Sequence, residues 1–590
     1  MSFERSGSRA SSRPMKLLEA LEIVKQPQAP DAQPLTVLMA CGFTPLHLRT
    51  FLAAELRQRF PVRCVSVEVG LFGDLLGTIE RCAAVKPHAL AVVLEWADFD
   101  PRLGIRTLGG WKHEAIPGIV DSALRQMERI SAAVRMAAAA MPVAVSLPCL
   151  PLPPMFPVSG TQASIAELRL RQGLLTMAAG LAELPQARIA RTQRLDEMSP
   201  AADRFDVRSE ITTGFPYKMA HASRLAEILA ALIAGAPPQK GLITDLDDTF
   251  WAGIVGEAGV SGVSWDLEHG TQIHGIYQQF LSSLASAGVL LAVASKNDAA
   301  LVEEAMRRRD ILCGPSSFYP LEVHWQPKSG SVGRILKEWN IAPEAVVFVD
   351  DSPMELAEVG AAYPEMECIA FPRDDAGRFW AFLERLRDLF GKASVQAEDA
   401  IRLDSIRAAR RAEADSAAGS ADDLLSAAEA VIEFSAGRND DARAFELVNK
   451  TNQFNLNGRR WDQATWYAYL AQPDALLLTA SYTDKYGPLG KIAAVLACCA
   501  GRTLEIDAWV MSCRAFSRRI EHQCLKYLFE RTGAAEVAFD FTATPRNTPL
   551  RDFLVALTGA VPEGRCVISQ EEFSKSCPRL FHRVAEVAHA

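Results

Sequence analysis

A chain of 590 residues is several times longer than one ordinary domain and divides into about four compact units. Hydrophobic residues make up 49% and charged residues 23%, the balance of globular chains rather than of disordered or fibrous ones. The net charge of −9 argues against broad nucleic-acid binding, and no apolar run approaches the ~20 residues of a membrane span. The twelve cysteines are scattered without the CxxC pairs of zinc sites, which points to a reducing cytoplasm. The opening MSFERSGSRASSRPMK has no apolar core after its basic residues, so a secretory leader is not expected.

In chain order, residues 1–33 read as a disordered tail. From 34 to 238, short apolar runs (PLTVLMACG, VRCVSVEVG, ALAVVLEWADF, VAVSLPCL) alternate with amphipathic segments of helical length. That alternation predicts a parallel sheet covered on both faces. A second series spans 239–392, with strands GLITDLD, VLLAVAS and AVVFVDD, each ending in polar or acidic residues. Residues 393–425, rich in Ala, Asp, Glu and Arg, read as a solvated helical linker. From 426 to 590 the runs ALLLTASYTD, GKIAAVLACCA and TLEIDAWVMSC follow one another without helices, which predicts an antiparallel α+β unit. Cys498 and Cys499 within it read as core.

The chemistry concentrates in the second series. Asp245 and Asp247 of DLDDT are two residues apart at a strand end, on one side of it. The first can attack phosphorus as a carboxylate, and the second can supply and remove protons. Two anions approach a phosphate only with a hard cation beside them, so Mg²⁺ is expected. Asp350 and Asp351 of VFVDD supply further carboxylate to hold it. Ser295, Lys328 and Thr249 are the donors expected on the phosphoryl oxygens. Little room for a cap domain lies between DLDDT and VLLAVAS. Gly253 and Gly256 there either let a short flap bend toward the ion or simply occupy turns.

These segments resemble the four motifs of the haloacid-dehalogenase (HAD) superfamily: DLDDT, Ser295, Lys328 and VDDSP. The resemblance implies that Asp245 is the phosphoryl-accepting nucleophile, Asp247 the general acid/base, and Asp351 the direct metal ligand of its pair, with Asp350 at or just behind the ion. A narrower resemblance, to the FkbH-like subfamily, is carried by DLDDTFWAGIVGEAG, SKND, LVNKTNQFNLNGRR and IDAWVMSCR. It implies an α/β multidomain chain: an SGNH- or flavodoxin-like parallel domain, a Rossmann-like HAD domain without a large cap, and a GNAT-like α+β domain. It further implies transfer of a glyceryl unit from 1,3-bisphosphoglycerate, a phosphorylated three-carbon donor, to the phosphopantetheine arm of an acyl carrier protein. Cys513, followed by Arg514, Arg518 and Arg519, is then the candidate acyl acceptor, since nearby cations favour thiolate. The same arginines suit a carrier's phosphate.

The flanking domains depart from those patterns. RAFSRRIEH has Ser517 and Arg519 where a GNAT pyrophosphate loop has glycines. MACGFTPLHL lacks the Gly-Asp-Ser of SGNH hydrolases, so the first domain is expected to be a non-hydrolytic scaffold or docking module, with Arg106 and Trp111 in a candidate binding loop and His221 as a helix-face residue. The amides of NKTNQFNLNGRR (Asn449, Lys450, Asn452, Gln453) are expected to line a ligand or an inter-domain contact, because so many are costly to bury unpaired. Three functions compete: carrier loading, a plain phosphatase on a soluble metabolite, and a non-catalytic docking module.

Overall fold

Strands buried on both faces sit only in the middle of a layered sheet, and this requirement shapes the first two-thirds of the chain. The protein's structure, a computed structural model, describes residues 13–28, 32–235, 237–392, 395, 399, 401–407, 421–451, 453–485, 487–512, 515–516, 518–544, 547–562 and 564–587. Two units are distinguished, Met1–Ala236 and Pro237–Ala590. Among the described residues no helix is long and apolar enough to cross a membrane.

In the first unit, β1 (Gln33–Cys41), β2 (Arg63–Val69), β3 (Ala89–Val93), β4 (Val143–Ser146) and β5 (Ala187–Ile189) form a parallel sheet ordered β2-β1-β3-β4-β5. Alternation along β1 serves two cores. Leu38 and Ala40 face the helices Ile116–Ala138 and Ile165–Ala182. Val37, Met39 and Cys41 face Leu46–Arg59 and Met219–Ala234. The tail differs from expectation. LLEALEIVK forms a helix, Leu17–Lys25, whose apolar stripe buries Ala20 fully, because it has an amphipathic period and a core to bury it against.

The second unit opens with β6 (Gly241–Thr244), β7 (Leu290–Ser295), β8 (Phe318–Val323), β9 (Val346–Asp350) and β10 (Glu367–Ala370), parallel in the order β10-β9-β6-β7-β8. One face packs Leu242, Val293 and Val349 against Trp251, Tyr277 and Phe371. The other packs Ile243, Ala292 and Phe348 against Ile335 and Trp339. The segment expected to be a solvated linker is partly built in. Ile406 is buried in the second of these cores, and Arg402 Nη1 donates to Gly288 O at 2.7 Å.

The remainder forms a mixed sheet of β11 (Val431–Gly437), β12 (Phe454–Asn455), β13 (Ala475–Asp484), β14 (Gly487–Ala500), β15 (Thr503–Met511), β16 (Glu536–Phe541), β17 (Gly564–Ser569) and β18 (Arg583–Glu586). Its order is β17-β16-β15-β14-β13-β11-β18, with β12 beside β15. The antiparallel expectation holds for β11, β13, β14 and β15 and fails at β15–β16 and β11–β18, which are parallel. The helix Ile520–Thr532 supplies the crossover that the first parallel pairing needs. Cys499 is exposed and Cys498 only half-buried, since β14 runs past the core at that end.

The helix Gln272–Ser286 approaches the segment after DLDDT closely at Gly275, where a Cβ would lie 2.4 Å from the backbone oxygen of Trp265. Gly275→Ala gains about 1 kcal/mol of helix propensity. The collision with a backbone atom outweighs that gain and is expected to leave the variant less stable by about 1–3 kcal/mol. A lower calorimetric Tm is the expected result, and an unchanged or raised Tm contradicts it.

Candidate active site

Strand polarity brings the acidic residues together. Asp245 follows β6 directly and remains in the sheet, its backbone N–H donating to Val349 O of the neighbouring β9 at 2.9 Å. Asp350 ends β9, and Asp351 follows it. Carboxylate oxygens of Asp245, Asp350 and Asp351 lie within 4.8 Å of one another. Lys328, first residue of the helix Lys328–Trp339, extends its ammonium between two of them. Its Nζ lies 2.6 Å from Asp350 Oδ2 and 2.9 Å from Asp245 Oδ1. Only Asp350 accepts a well-formed hydrogen bond from it. The buried Asp245 Oδ1 accepts none.

Electrostatics follow from burial. Lys328 is 4% exposed and Asp350 0%. Burial pushes the Asp245 carboxyl up to about 7, opposed by Lys328 and reinforced by Asp350. Burial likewise raises Asp350 and Asp351. Burial works against the charge of Lys328, but the two carboxylates outweigh it and raise its pKa. Three crowded carboxyls with an unsatisfied buried oxygen and hard donor atoms fit a divalent cation of the Mg²⁺ type.

Asp247, expected among the metal ligands, is not brought into that group. Its Oδ1 accepts Trp251 Nε1 at 2.9 Å and Val255 N at 3.1 Å, and its Oδ2 accepts Asn297 Nδ2 at 3.0 Å. These donors belong to the flap after DLDDT and to the loop after β7, and they fix the direction of the carboxylate. Asn297 also donates to Ser295 Oγ at 3.0 Å, linking the first and second motifs. Thr249 is buried, its Oγ1 3.4 Å from Asp351 Oδ1.

The flap is anchored. Trp251 is fully buried, and Ala252 bridges Ser264. Gly253 adopts φ +96, which its turn requires, whereas Gly256 sits in the short helix Val255–Ala258 with open space around it. Among the described residues the chain between Asp245 and Ser295 builds this flap and the helix Gln272–Ser286, and no cap domain. Sequence reasoning missed Asn297 and Arg373. Arg373 Nη1 pairs with Asp351 Oδ2 at 2.9 Å and Asp248 Oδ2 at 2.8 Å. SKND at the end of β7 could have disclosed the first. The second follows β10, and nothing local distinguishes it from a loop arginine.

The C-terminal candidates fare differently. Cys513, Arg514 and Asn452, with Ser517, lie outside the described residues. Arg518 lies 3.6 Å from Asp484, and Arg519, at φ +58, pairs with Asp422 at 2.6 Å and donates to Arg579 O. Both engage partners within the fold. Asn449 joins Phe445 O to Trp461 N, and Lys450 pairs with Glu446 at 2.7 Å. Gln453 exchanges amide hydrogen bonds with Asn340, at the end of Lys328–Trp339, at 3.0 and 3.3 Å. That is a contact between the parallel-sheet and mixed-sheet parts of the second unit.

In the first unit His221 lies on the fully buried face of the helix Met219–Ala234. Its Nε2 is 3.1 Å from Cys149 Sγ and its Nδ1 2.9 Å from Ser199 Oγ. Burial raises the Cys149 thiol well above its ordinary value and pulls the imidazole down to about 3. A thiol and an imidazole both held neutral do not make a thiolate–imidazolium nucleophile.

No family model and no curated protein matches the chain. Among solved structures it is similar to the N-terminal part of the protein BF1531 from Bacteroides fragilis, which contains a phosphatase domain complexed with Mg. The TM-score is 0.51 at 18% identity, over 64% of this chain and all of that one. This is a likeness of fold, that of a multidomain α/β protein with parallel sheets. An uncharacterized protein from Corynebacterium glutamicum aligns over 26% of this chain and 98% of its own at 18% identity, with a TM-score of 0.18 that carries no argument.

Replacing Lys328 by Met leaves Asp245 and Asp350 buried without a counter-charge. The expected cost is about 3–5 kcal/mol of stability in urea denaturation at alkaline pH. Both carboxyls are already raised, so the loss should shrink as pH falls and they take up protons. A pH-independent loss would contradict the assignment.

Proposed function

We propose that this chain is a divalent-cation-dependent phosphatase of the HAD type, working through an aspartyl-phosphate on Asp245. What carries the reading is the convergence of Asp245, Asp350 and Asp351 around one point with Lys328 among them. The three carboxylates would hold Mg²⁺, which when bound withdraws charge from the phosphoryl group. Asp245 forms a bond to phosphorus as the ester oxygen departs with a proton from Asp247. Water then attacks the acyl phosphate, gives its proton to Asp247, and releases inorganic phosphate with Asp245 restored. Lys328 and Ser295, both at the carboxyl edge of the sheet, hold the phosphoryl oxygens.

The finer reading is glyceryl loading: the Cys513 thiol displaces the acyl phosphate at C1 of 1,3-bisphosphoglycerate, the Asp245 site hydrolyses the remaining phosphate ester, and the glyceryl group passes to the phosphopantetheine thiol of an acyl carrier protein, which frees Cys513. It rests on the FkbH-like segments DLDDTFWAGIVGEAG, SKND, LVNKTNQFNLNGRR and IDAWVMSCR. The anchored flap favours it over a small soluble substrate, since a site without a cap domain leaves room for a carrier-borne arm.

Hydrolysis of p-nitrophenyl phosphate with Mg²⁺ tests the coarser reading. Asp245→Asn is expected to lower the rate about a thousandfold or more. The Asp245 carboxyl is raised, so its nucleophilic form is lost as pH falls through about 7, and the rate should fall with it. A bound cation favours the ionised form, so more Mg²⁺ should move that acid limb to lower pH. An active Asp245→Asn variant sinks the nucleophile assignment. The finer reading is tested by intact-mass spectrometry of a purified carrier protein incubated with the enzyme, 1,3-bisphosphoglycerate and Mg²⁺. A glyceryl mass gain that requires Asp245 and Cys513 is expected. No gain, with phosphatase turnover intact, leaves the plain phosphatase.

A further inference from the structure

The first unit holds a cavity of about 850 Å³ where the loops after β1, β2, β3 and β4 meet. In a sheet ordered β2-β1-β3-β4-β5 this is the crevice at the carboxyl edge, beside the point where the strand order reverses. The volume suits a small organic molecule. Phe43, Phe72, Trp96, Phe99, Leu103 and Leu152 give it apolar walls.

Apart from Asp74, whose carboxylate accepts Gly77 N at 3.1 Å, its charged groups fall into two zones. Deep in the wall, Glu95 is closed off by Tyr217 OH at 2.7 Å, Cys149 Sγ at 3.1 Å and Leu150 N at 3.2 Å. Asp98 beside it is half-buried and accepts Glu95 N at 2.7 Å. Burial raises both carboxyls to about 7 and raises Glu210, whose buried Oε2 accepts no hydrogen bond among the described residues. These acids are therefore poorly charged and leave the interior largely apolar.

The exposed groups on the lining are cationic: Arg106, Arg125 and Arg129. Arg106 lies over the Phe72 ring, 5.2 Å from its centroid. Arg125 and Arg129 stand four residues apart on Ile116–Ala138, a spacing at which like charges repel. Neither forms an ion pair among the described residues, and Arg129 meets only the amide of Gln126, at 3.1 Å. An anion between them would relieve that repulsion.

We infer that this cavity binds a small molecule with an apolar body and one anionic group, the body lying between the aromatic walls and the anion at Arg125 and Arg129. The apolar interior sets the orientation, since an anion buried there without a counter-charge is costly. The site belongs to the first unit and is independent of the phosphatase reading.

Two fluorescent probes that differ only in the anionic group test it on the full chain. One is 1-anilinonaphthalene-8-sulfonate; the other is its neutral parent, N-phenyl-1-naphthylamine. The sulfonate is expected to bind saturably at one site. The double substitution Arg125→Glu, Arg129→Glu alters exposed side chains only. It should weaken sulfonate binding about tenfold or more and leave the neutral probe unchanged. Ala97 faces the cavity and is exposed, so Ala97→Trp should fill it and weaken both probes by a similar factor. Unchanged circular dichroism melting confirms that each variant is folded. Sulfonate binding that is not saturable, that survives Ala97→Trp, or that falls equally for both probes on charge reversal overturns the inference.

Discussion

A lysine ammonium sealed between two carboxylates is the constraint around which the second unit is arranged. Lys328, Asp245 and Asp350 are all nearly inaccessible, and charges in that position are tolerated only when each offsets the others at contact distance. Contact distance demands that two strands deliver their ends side by side and that a helix begin opposite them. The parallel pairing of β6 with β9 meets the first demand, and the start of Lys328–Trp339 the second. Because Asp245 still hydrogen-bonds into the sheet through its backbone, its carboxyl sits on a rigid mount.

Around this buried centre lies a more exposed ring. Asp351 and Asp248 share Arg373, and Asp247 is held by the flap and by Asn297. The inner two carboxyls, Asp245 and Asp350, meet a strongly desolvated environment, and the outer groups meet partners that reach in from loops. The flap that carries half of the outer ring is short but packed through Trp251, so the site is shaped without being covered.

The first unit uses the same layered architecture with different edge chemistry. Its strand ends supply Glu95 and Cys149, the helix Met219–Ala234 supplies His221, and burial keeps the thiol and the imidazole neutral. What remains at the edge is an apolar cavity with cationic side chains on its exposed lining. The mixed sheet turns its unusual polar residues inward as well. Asn449, Asn455 and Asn547 satisfy backbone groups of neighbouring segments, which is where amides go when no water can reach those groups.

Strand ends were legible from residue types alone. A run of β-formers stopping at Asp, Ser or Asp-Asp places those groups at a sheet edge whatever surrounds it, because parallel strands share one polarity. Asp245, Ser295 and Asp350 were readable for that reason, as were the two-faced parallel sheets. The tail helix was missed because nothing in LLEALEIVK says what will cover its apolar stripe. Asp247 was readable as an acid at the strand end and not as one held apart from Asp245, Asp350 and Asp351, since Trp251 and Asn297 bind its carboxylate from separate segments. Arg373, the parallel entries of β16 and β18 into the mixed sheet, and the cavity of the first unit share that character. Local pattern specifies which way a strand or helix presents its side chains. Which side chains then meet depends on contacts between residues tens to hundreds of positions apart, and only the packed tertiary structure decides those.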